Sequence, residues 1–595
     1  MQQMNCGSVK DVRIGSDVIL YGWARYIRDH GGKLFIDLAD RYGIVQIVFE
    51  GETKKRAEEI GKEYVLKIQG KVKRRSKDAI DKDNPTGKIE VIVENFEIIN
   101  KSKIPPFEIT EEKEKYLPSE FLRFKYRYLD LRRRKMLNNV LFRDRITKAF
   151  RKFFWSQDFL ELETPFLIRD TYDASGSRTF LVPSRIHKGK FYSLPTSPQI
   201  YKQLCMIAGL GNYFQIVKVF RDEDPREDRQ PEFTQLDLET SFKDEKYIQH
   251  LIEASIKYVF KHVLGRDLKT PFPHIEYNVA MEKYGNDKPD MRFKNELVDI
   301  TDIAAKSDYN IIKSIAEKNG KVKAIVFDAD YGSKNAKLNE KDMLDLVEKA
   351  KGWGLKGLTW LYFKDKGIRS KPESIAKSLE SVSAQLIKRL HPKEGSIILI
   401  GADLSESVLL AGISKVRRFV GIKIGKFDTD FAFLWVDHFP VFERDELTGA
   451  LQPAHNPFVA PTEETVKYLD TEPEKVLGKR YDLVLNGLEV GGGSIRINKP
   501  ELQYKILKKM GLSDEEIQKS LGFLIEALSY GAPIHGGIAL GLDRFVAVLA
   551  GQDDIKDFIL FPKTKKNESP LDNSPDRISD KRLMEDFNIK IEKPL

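Results

Sequence analysis

FRDEDPREDRQPEFTQLDLE, residues 220–239, places opposed charges between two strand-like segments. Five acids and three arginines stand in its first ten residues, after the apolar run YFQIVKVF. The later residues alternate polar with apolar, so Gln235, Asp237 and Glu239 share one face of a strand. A charge run is usually a solvated loop, but a polar row on a strand inside a sheet is costly unless a ligand or water meets it. The stretch therefore predicts either an exposed hairpin or one wall of a site for a charged ligand.

Two glycine-rich stretches downstream favour the second interpretation. GLEVGGGSIRI, residues 487–497, holds three consecutive glycines, which weaken a strand unless something approaches its backbone closely. Asp482 and Glu489 could hold Mg²⁺, which prefers carboxylate and phosphate oxygens. GAPIHGGIALGLDRFV, residues 531–546, reads as a strand that turns into a helix headed by Arg544. Because a helix N-terminus and an arginine both suit phosphate, we predict a triphosphate site without a P-loop.

The composition indicates a multidomain protein of a reducing compartment. The 595 residues carry 99 basic and 90 acidic side chains, a net charge of +9 that fits either an anionic partner or a lysine-rich proteome. The two cysteines, Cys6 and Cys205, exclude a disulfide framework and a cysteine-rich zinc site. The N-terminus has no apolar signal core, and no stretch approaches the ~20 apolar residues of a membrane span. We expect a cytoplasmic protein that does not associate with a membrane.

Residues 1–103 hold five strand candidates separated by the turn signals HGG, RYG and NPTG. Five short strands in this length are typical of an OB-fold, a small barrel that commonly binds single-stranded nucleic acid. Arg28, Phe35 and Gln46 supply the cation, the ring and the amide that such a face needs. Phe35 could equally be a core residue, since aromatic side chains are often buried.

The remaining sequence divides into segments that differ in their pattern of apolar and charged residues. Leu137, Leu141 and Phe150 mark one face of a long helix that ends near Gln157, and the strand that follows contains Pro165, which places it at a sheet edge or an interface. Alternating apolar and charged runs then predict antiparallel sheet, interrupted by a stretch that lacks the motif residues. We predict these domains: 1–104, a barrel; 105–135, a linker; 136–285, the first part of a catalytic domain; 286–418, an inserted α+β domain; 419–563, the second catalytic part; and 564–595, a polar extension.

These motifs resemble those of the class II aminoacyl-tRNA synthetases. The context of Pro165 looks like motif 1, FRDEDPREDRQPEFTQ like motif 2 and GIALGLDR like motif 3. The class I signatures HIGH and KMSKS are absent. SPQIYKQLCM, QPEFTQLDLE, YGNDKPDMRF, PAHNPF and LNGLEVGGGSIRI further resemble, in order and spacing, the bacterial-type aspartyl-tRNA synthetases. The resemblance covers nearly the whole chain.

The resemblance implies a fold and a reaction. The fold is multidomain α+β, with an N-terminal OB-fold barrel, an antiparallel catalytic sheet flanked by helices, and an inserted GAD-type domain. The implied reaction joins L-aspartate to ATP as aspartyl-adenylate and then moves the aspartyl group to tRNA(Asp). The family forms homodimers through motif 1, so a homodimer is expected here.

The resemblance also assigns the nucleotide site. Arg221, Glu489 and Arg544 match the catalytic positions, and Asp482 and Glu489 match the Mg²⁺ ligands. Arg221 would neutralise charge on the α-phosphate, and Arg544 would hold the γ-phosphate. The implied ATP contacts are Arg221, Asp222, Glu223, Gln230, Phe233, Glu489, Gly541, Leu542, Asp543 and Arg544.

Aspartate recognition is implied for a second set. Lys202 and Arg496 match the pair that holds the side-chain carboxylate, and two cations around one anion discriminate against neutral asparagine. Taken alone, Lys202 reads as a surface lysine and His455 as a loop histidine. The implied aspartate contacts are Ser175, Ser197, Gln199, Lys202, Arg221, Asp237, His455 and Arg496.

The sequence departs from the family at two places. Ser175 stands where the family has a glutamate near the substrate ammonium, and Asp173 could supply the missing carboxylate. Asn456 stands where many relatives have a second histidine. Recognition of the ammonium by the loop around Ser175 is therefore left open.

The turn RDHGG concerns the choice of tRNA. The implied anticodon contacts are Arg28, His30, Phe35 and Gln46. His30 followed by glycine resembles the non-discriminating enzymes, which charge both tRNA(Asp) and tRNA(Asn). A discriminating enzyme, with His30 taking no part in reading, is the alternative.

Other functions fit the sequence less well. An asparaginyl enzyme needs a mixed donor and acceptor pocket, and a lysyl enzyme needs carboxylates where Lys202 and Arg496 stand. A non-catalytic tRNA-binding paralogue, with Ser175 as an early loss, is the alternative of another class. The intact Arg221, Glu489 and Arg544 argue against it.

Overall fold

The computed structural model describes residues 2–109, 117–170, 178–224, 226–445 and 448–590. The chain forms two compact units: Met1–Asp144 with Lys556–Arg577, and Arg145–Ile555 with Ile578–Leu595. Within the described ranges, none of the helices combines the length and apolar character that a membrane span requires.

The first unit is built on a closed β-barrel. Its strands are Gln2–Met4 (β1), Asp17–His30 (β2), Lys33–Asp40 (β3), Gly43–Phe49 (β4), Val65–Arg74 (β5) and Ile89–Asn100 (β6). They lie in the order β1-β2-β3-β4-β6-β5, and β2 also pairs with β5, which closes the barrel. Alternate residues of each strand point inward, among them Val18, Leu20, Ile36, Leu38 and Ile68. The five predicted strands, β2 to β6, are confirmed, and β1 is additional.

The helices of this unit are Gly51–Ala57 (α1), Glu120–Lys125 (α2) and Arg127–Asp130 (α3). Arg127 is buried, forms an ion pair of 2.6 Å with Asp130, and donates to the backbone carbonyls of Lys556, Ile559 and Leu560. These bonds join the predicted linker to the late segment of the same unit.

A long helix, Arg134–Ser156 (α4), crosses the boundary between the units. The strands after it are Leu160–Glu161 (β7), Leu181–Pro183 (β8), Phe191–Ser193 (β9), Asn212–Phe220 (β10), Glu232–Ser241 (β11), His274–Glu276 (β12), Leu297–Asp299 (β13), Lys321–Asp328 (β14), Leu358–Lys364 (β15), Gly367–Arg369 (β16), Ser396–Asp403 (β17), Phe433–Asp437 (β18), Phe442–Arg444 (β19), Leu451–Pro453 (β20), Arg480–Leu485 (β21), Leu488–Ile495 (β22) and His535–Gly541 (β23). The helices are Gln199–Ile207 (α5), Glu245–Val259 (α6), Tyr277–Tyr284 (α7), Thr301–Ala304 (α8), Asn310–Glu317 (α9), Glu340–Gly352 (α10), Glu373–Ser378 (α11), Ser383–Leu390 (α12), Glu406–Ile424 (α13), Pro500–Lys509 (α14), Asp514–Ser529 (α15), Leu542–Leu549 (α16) and Asp580–Arg582 (α17).

An eight-stranded sheet organises the second unit, in the order β12-β18-β21-β22-β23-β11-β10-β7. Its inner strands are antiparallel, as predicted, and the two edge strands are parallel to their neighbours. The edge position of β7 is confirmed. The prediction that Pro165 lies inside this strand is wrong, because β7 ends at Glu161 and proline has no N–H to extend the ladder.

The stretch predicted to be an inserted domain folds as five strands, β13 to β17, with α8 to α13. Its five strands lie in the order β13-β14-β17-β15-β16. Alternate residues of β14 face two separate cores: Ile325 packs among residues of α10 and α13, and Ala324 among residues of α9 and α12. The predicted boundary at residue 418 falls inside α13, which continues to Ile424.

Candidate active site

One row of residues across the large sheet forms the floor of the candidate site. The register aligns Gln215 of β10 with Asp237 of β11, then Ala539 of β23, Gly492 of β22 and Asp482 of β21. The two residues at the centre, Ala539 and Gly492, have a small side chain or none, and the residues on either side of them are polar. The sheet therefore leaves open space between two acidic positions, where a ligand can lie against the backbone.

Glycine is required at one position in this row, Gly492, and at one position near it, Gly537. A Cβ on Gly492 would lie 2.8 Å from Asp482 Oδ1 and 3.5 Å from Glu489 Oε1. A Cβ on Gly537 would lie 2.0 Å from the Leu238 carbonyl oxygen and 2.2 Å from Glu239 Oε2. The close approach that the glycine-rich stretches predicted is thus made by the protein's own carboxylates and backbone.

Gly537→Ala should lower the thermal unfolding midpoint of the full chain, because overpacking of this kind costs about 1–3 kcal/mol. Gly541→Ala on the same strand is the matched control, since its Cβ would meet only the Val490 carbonyl oxygen at 3.9 Å. Differential scanning fluorimetry compares the two. Equal midpoints would contradict the close approach at Gly537.

Four buried charges form a network at one end of the floor. Lys202 Nζ donates to Asp237 Oδ1 over 2.6 Å and lies 3.3 Å from Glu239 Oε2. Arg496 Nε donates to Glu239 Oε1 over 2.9 Å. Lys202 and Arg496 are 1% and 3% exposed, and both acids are fully buried. The two cations that were expected to converge therefore meet through one carboxylate, Glu239.

The network leaves polar atoms for a ligand. Asp237 Oδ2 and Gln199 Nε2 are buried without a hydrogen-bond partner in the described structure. Burial raises the pKa of Asp237 despite the opposing charge of Lys202. Burial alone would also raise the pKa of Glu239, but Arg496 and Lys202 together hold it below its usual value. The site therefore offers fixed cations, an acceptor and an amide donor around one small space.

The charged stretch at residues 220–239 folds against the glycine-rich stretch at residues 531–546, which in turn contacts the one at residues 487–497. Arg544, in the first turn of α16, donates to Asp228 Oδ2 over 3.0 Å and to the Glu489 backbone carbonyl. The Arg221 guanidinium lies 5.3 Å from the centre of the Phe233 ring. The interleaved acids thus hold arginines in position at the cavity wall, and the hairpin is a wall of the site.

Asp482 and Glu489, the predicted ligands for Mg²⁺, both lie close to Gly492. Burial raises the pKa of Asp482 to about 7, and Glu489 and Asp287 add to the effect. Burial acts on Glu489 too, but the cations Lys288, Arg480, Arg544 and Arg221 hold its pKa below the usual value. Among the described residues, Asp482 Oδ1 accepts no hydrogen bond, although it forms an ion pair of 2.9 Å with the Arg480 guanidinium.

This donor set fits Mg²⁺ that is shared with phosphates. Among the described residues, no group of three or more histidine, cysteine or acidic side chains could hold a metal ion. Mg²⁺ is commonly bound by one or two carboxylates together with substrate phosphates and water. The pair therefore suits an ion that arrives with its nucleotide.

A single cavity of about 2110 Å³ connects these groups. The predicted site residues that line it are Ser197, Gln199, Lys202, Arg221, Glu223, Gln230, Phe233, His455, Glu489, Arg496, Gly541, Asp543 and Arg544. Asp237 and Asp482 are buried just outside this lining. Ser175 and Asp173 lie outside the described residues.

Two predicted ATP contacts do not reach the cavity. Asp222 does not line it, and the Leu542 side chain is 1% exposed in the core. Leu542 belongs to the apolar face of α16, whereas Arg544 on the same turn points elsewhere. The side chains of Asp222 and Leu542 therefore give no support to the predicted ATP contacts, which stay predictions for these two residues.

The comparison with protein families decides the identity. A family profile described as "tRNA synthetases class II (D, K and N)" matches residues 119–565, and "OB-fold nucleic acid binding domain" matches residues 18–99. An "Aspartate--tRNA ligase" of Macrococcus caseolyticus is 46% identical over 98% of this chain and 97% of its own length. The chain belongs to the aspartate–tRNA ligase family of class II aminoacyl-tRNA synthetases.

Other relatives agree. The synthetase is 44% identical to an "Aspartate--tRNA(Asp/Asn) ligase" of Geobacillus sp. (strain WCH70), over 98% of this chain and 96% of that protein. An asparaginyl-tRNA synthetase from Pyrococcus horikoshii, solved with asparaginyl-adenylate, superimposes with a TM-score of 0.59 at 20% identity, covering 95% of this chain and 98% of the other. That likeness concerns the fold alone.

Sequence reasoning missed several residues of the candidate site. Glu239 bridges the two cations, and its place in the polar row of β11 was the signal for it. Asp287, Lys288 and Arg480 also line the cavity. The first two belong to YGNDKPDMRF, which was noted only as part of the resemblance.

The barrel of the synthetase gathers the predicted anticodon contacts on β2, β3 and β4. Arg28 donates to both oxygens of Asp37, over 3.2 and 2.7 Å, and to Gln46 Oε1 over 3.4 Å. Phe35 is half-buried, between Arg28 and Val48 in the register. His30 is exposed at the end of β2, before two glycines in the left-handed region.

Proposed function

We propose that the synthetase forms aspartyl-adenylate from L-aspartate and ATP with Mg²⁺, and transfers the aspartyl group to tRNA(Asp) and tRNA(Asn). The observation that carries the aspartate assignment is the convergence of Lys202 and Arg496 on Glu239 at one end of the cavity. The relatives named above support the activity, and one of them is named for both tRNAs.

Aspartate fits the buried network. Its side-chain carboxylate would lie between Lys202 and Arg496, and its ammonium group would donate to Asp237 Oδ2 beside Gln199. Asparagine would present an amide N–H₂ to two donors, which leaves buried groups unpaired at a cost of about 1–3 kcal/mol for each group. Discrimination between aspartate and asparagine therefore comes from the negative charge of the aspartate side chain.

His455 adds a neutral group to this site. Burial, followed by the positive charges of Arg480 and Lys288, holds the pKa of His455 well below its ordinary value. The imidazole is therefore uncharged at neutral pH. It can hydrogen-bond to aspartate without adding a third cation.

The nucleotide would lie along the other half of the floor. Phe233 would stack on adenine, Arg221 would contact the α-phosphate, and Arg544 would exchange Asp228 for the γ-phosphate. Asp482 and Glu489 would hold Mg²⁺, which supplies charge neutralisation at the phosphates when bound. These roles rest on the cavity lining and on the charges described above.

The chemistry needs alignment and charge stabilisation more than acid–base groups. An oxygen of the aspartate α-carboxylate attacks the α-phosphorus, and pyrophosphate leaves. Arg221 stabilises the negative charge that builds on the α-phosphate. The terminal ribose hydroxyl of tRNA then attacks the adenylate carbonyl carbon, so that the ester forms and AMP leaves.

Aspartate-dependent exchange of pyrophosphate into ATP tests this function in one assay. Exchange with aspartate and none with asparagine or lysine is expected. Exchange driven by asparagine would overturn the assignment to Lys202 and Arg496. The absence of exchange with every amino acid would instead identify a non-catalytic tRNA-binding paralogue.

His30→Leu should reduce charging of tRNA(Asn) by about tenfold, which corresponds to ~1.4 kcal/mol. The reason is that the exposed His30 stands at the tip of the β2–β3 hairpin, where an anticodon base can meet it. Initial rates with purified tRNA(Asn) and tRNA(Asp) measure the effect, and tRNA(Asp) serves as the internal control. Background charging of tRNA(Asn) by the unaltered enzyme would show a discriminating synthetase.

The proposed function includes the association of two copies of this chain as a homodimer. Trp155, Leu160, Phe166 and Leu167 are exposed large hydrophobic residues at the end of α4 and around the edge strand β7. Exposed apolar groups beside an open strand edge favour association with another chain. Sedimentation equilibrium at micromolar concentration tests it, and a monomer would reject it.

A further inference from the structure

One helix of the inserted domain lines the active-site cavity. Ser407, Ala411, Ser414, Lys415 and Arg418 of α13 belong to the lining. Their spacing of three, four and seven residues puts them on a single face of the helix. The inserted domain therefore contributes a wall to the site, although it carries none of the residues to which the reaction was assigned above.

The cations on this face differ from the other cations of the helix. Arg417 also borders the cavity, but it is buried and donates to the backbone carbonyls of Asp290, Phe293 and Asn295. Lys423 lies outside the lining and donates to Asp342 over 3.0 Å.

Lys415 and Arg418 form no ion pair within the part of the chain that the structure describes, and Arg418 Nε is buried without a hydrogen-bond partner. Lys415 and Arg418 are thus the cations of α13 that line the cavity without a bond to the described part of the protein, whereas the Arg417 guanidinium is held by backbone carbonyls. They remain available to an anion.

The size of the cavity indicates a second, larger ligand. Sites for small molecules and cofactors usually measure about 300–1,000 Å³. At about 2110 Å³, this cavity has room beyond ATP and aspartate. Small side chains at Ala411 and Ser414 let a ligand backbone approach the helix beside the two cations.

We propose that the cavity face of α13, defined by Ser407, Ala411, Ser414, Lys415 and Arg418, binds backbone phosphates of the single-stranded 3′ end of tRNA during the transfer step. This inference rests on the proposed function, because the terminal ribose must reach the adenylate on the sheet. Cations along a groove are the general means of holding a single-stranded polynucleotide without reading its sequence. α13 would contribute to the transfer of the aspartyl group to tRNA and would take no part in the formation of aspartyl-adenylate.

The test compares the two half-reactions in the full-length enzyme. Lys415→Ala/Arg418→Gln should leave aspartate-dependent pyrophosphate exchange within about twofold. The same variant should lower kcat/KM for purified tRNA(Asp) about tenfold, the factor that ~1.4 kcal/mol produces. The dependence of log kcat/KM on log salt should become less steep by about two, one for each lost phosphate contact.

Lys423→Ala is the matched control, because it removes a cation of the same helix that is paired with Asp342 away from the cavity lining. It should behave as the unaltered enzyme in both reactions. If the double variant is too unstable to assay, Lys415→Ala alone should shift the salt slope by about one, since Lys415 is exposed.

Three results would overturn the inference. The double variant could match Lys423→Ala in aminoacylation, or it could lose exchange and aminoacylation equally, which would place the cations in activation. The third result is weaker binding of a tRNA that lacks its unpaired 3′ nucleotides, by the double variant than by the unaltered enzyme. This would place the contact on the duplex stem. Absence of exchange in the unaltered enzyme is a separate failure, that of the proposed function.

Discussion

Lys202→Met should reduce aspartate-dependent pyrophosphate exchange by about a thousandfold. Lys202 is buried, and it contacts both Asp237 and Glu239. Breaking a buried ion pair by removing one partner typically costs about 3–5 kcal/mol, because an uncompensated charge remains. The substrate also loses one of the two cations that meet its side-chain carboxylate. Exchange rates over a wide range of aspartate concentration measure the loss.

A second variant separates lost binding from lost folding. Lys202→Met/Asp237→Asn removes one positive and one negative charge, so it should recover much of the thermal stability that Lys202→Met loses. Exchange should stay low, because the cation for the substrate carboxylate is still missing and the carboxylate that accepts from the substrate ammonium is lost as well. If exchange returns together with stability, Lys202 has only a structural role, and the aspartate assignment fails.

Arg221→Gln should slow adenylate formation by about 10²–10³-fold, the usual cost of removing one donor to a developing oxyanion. Arg221 lines the cavity next to the Phe233 ring, where its charge can meet the α-phosphate. ATP affinity should change less, since the interaction strengthens in the transition state. Single-turnover formation of aspartyl-adenylate measures the rate, and equilibrium binding of ATP measures the ground state.

Lys218→Gln is the control for Arg221→Gln. Lys218 belongs to the adjoining strand β10 and does not line the cavity. Its loss should leave the rate unchanged. Equal rates for Arg221→Gln and Lys218→Gln would remove Arg221 from the proposed chemistry.

The elements with long periodic patterns could be predicted from the sequence. The barrel strands β2 to β6 and the sheet strands β10 and β11 lie in long apolar or alternating runs, and β22 and β23 lie in glycine-rich runs with apolar residues between the glycines. In the inserted domain, β13 and β16 have three residues each, too few to show a period of two. β15, LTWLYFK, carries the apolar and aromatic run of a strand and could have been predicted.

The geometry of the site depends on contacts that sequence spacing does not encode. Arg544 meets Asp228 only because β23 pairs with β11 in one particular register. The bridge from Lys202 to Arg496 through Glu239 needs three elements to come together. Leu542 was assigned with its neighbours by position along the chain, but the direction of its side chain on α16 places it in the core.

The pairing of β11 with β23 affects how the protein is made. During translation, β11 leaves the ribosome long before β23, and the inserted domain, which has two cores of its own, is complete in between. Until β23 arrives, β11 keeps one open strand edge, and Glu239 lacks the arginine that neutralises it. The edge of β11 therefore stays unpaired until the last tenth of the chain is synthesised. A prematurely terminated product keeps this exposed strand edge, which can pair with other chains.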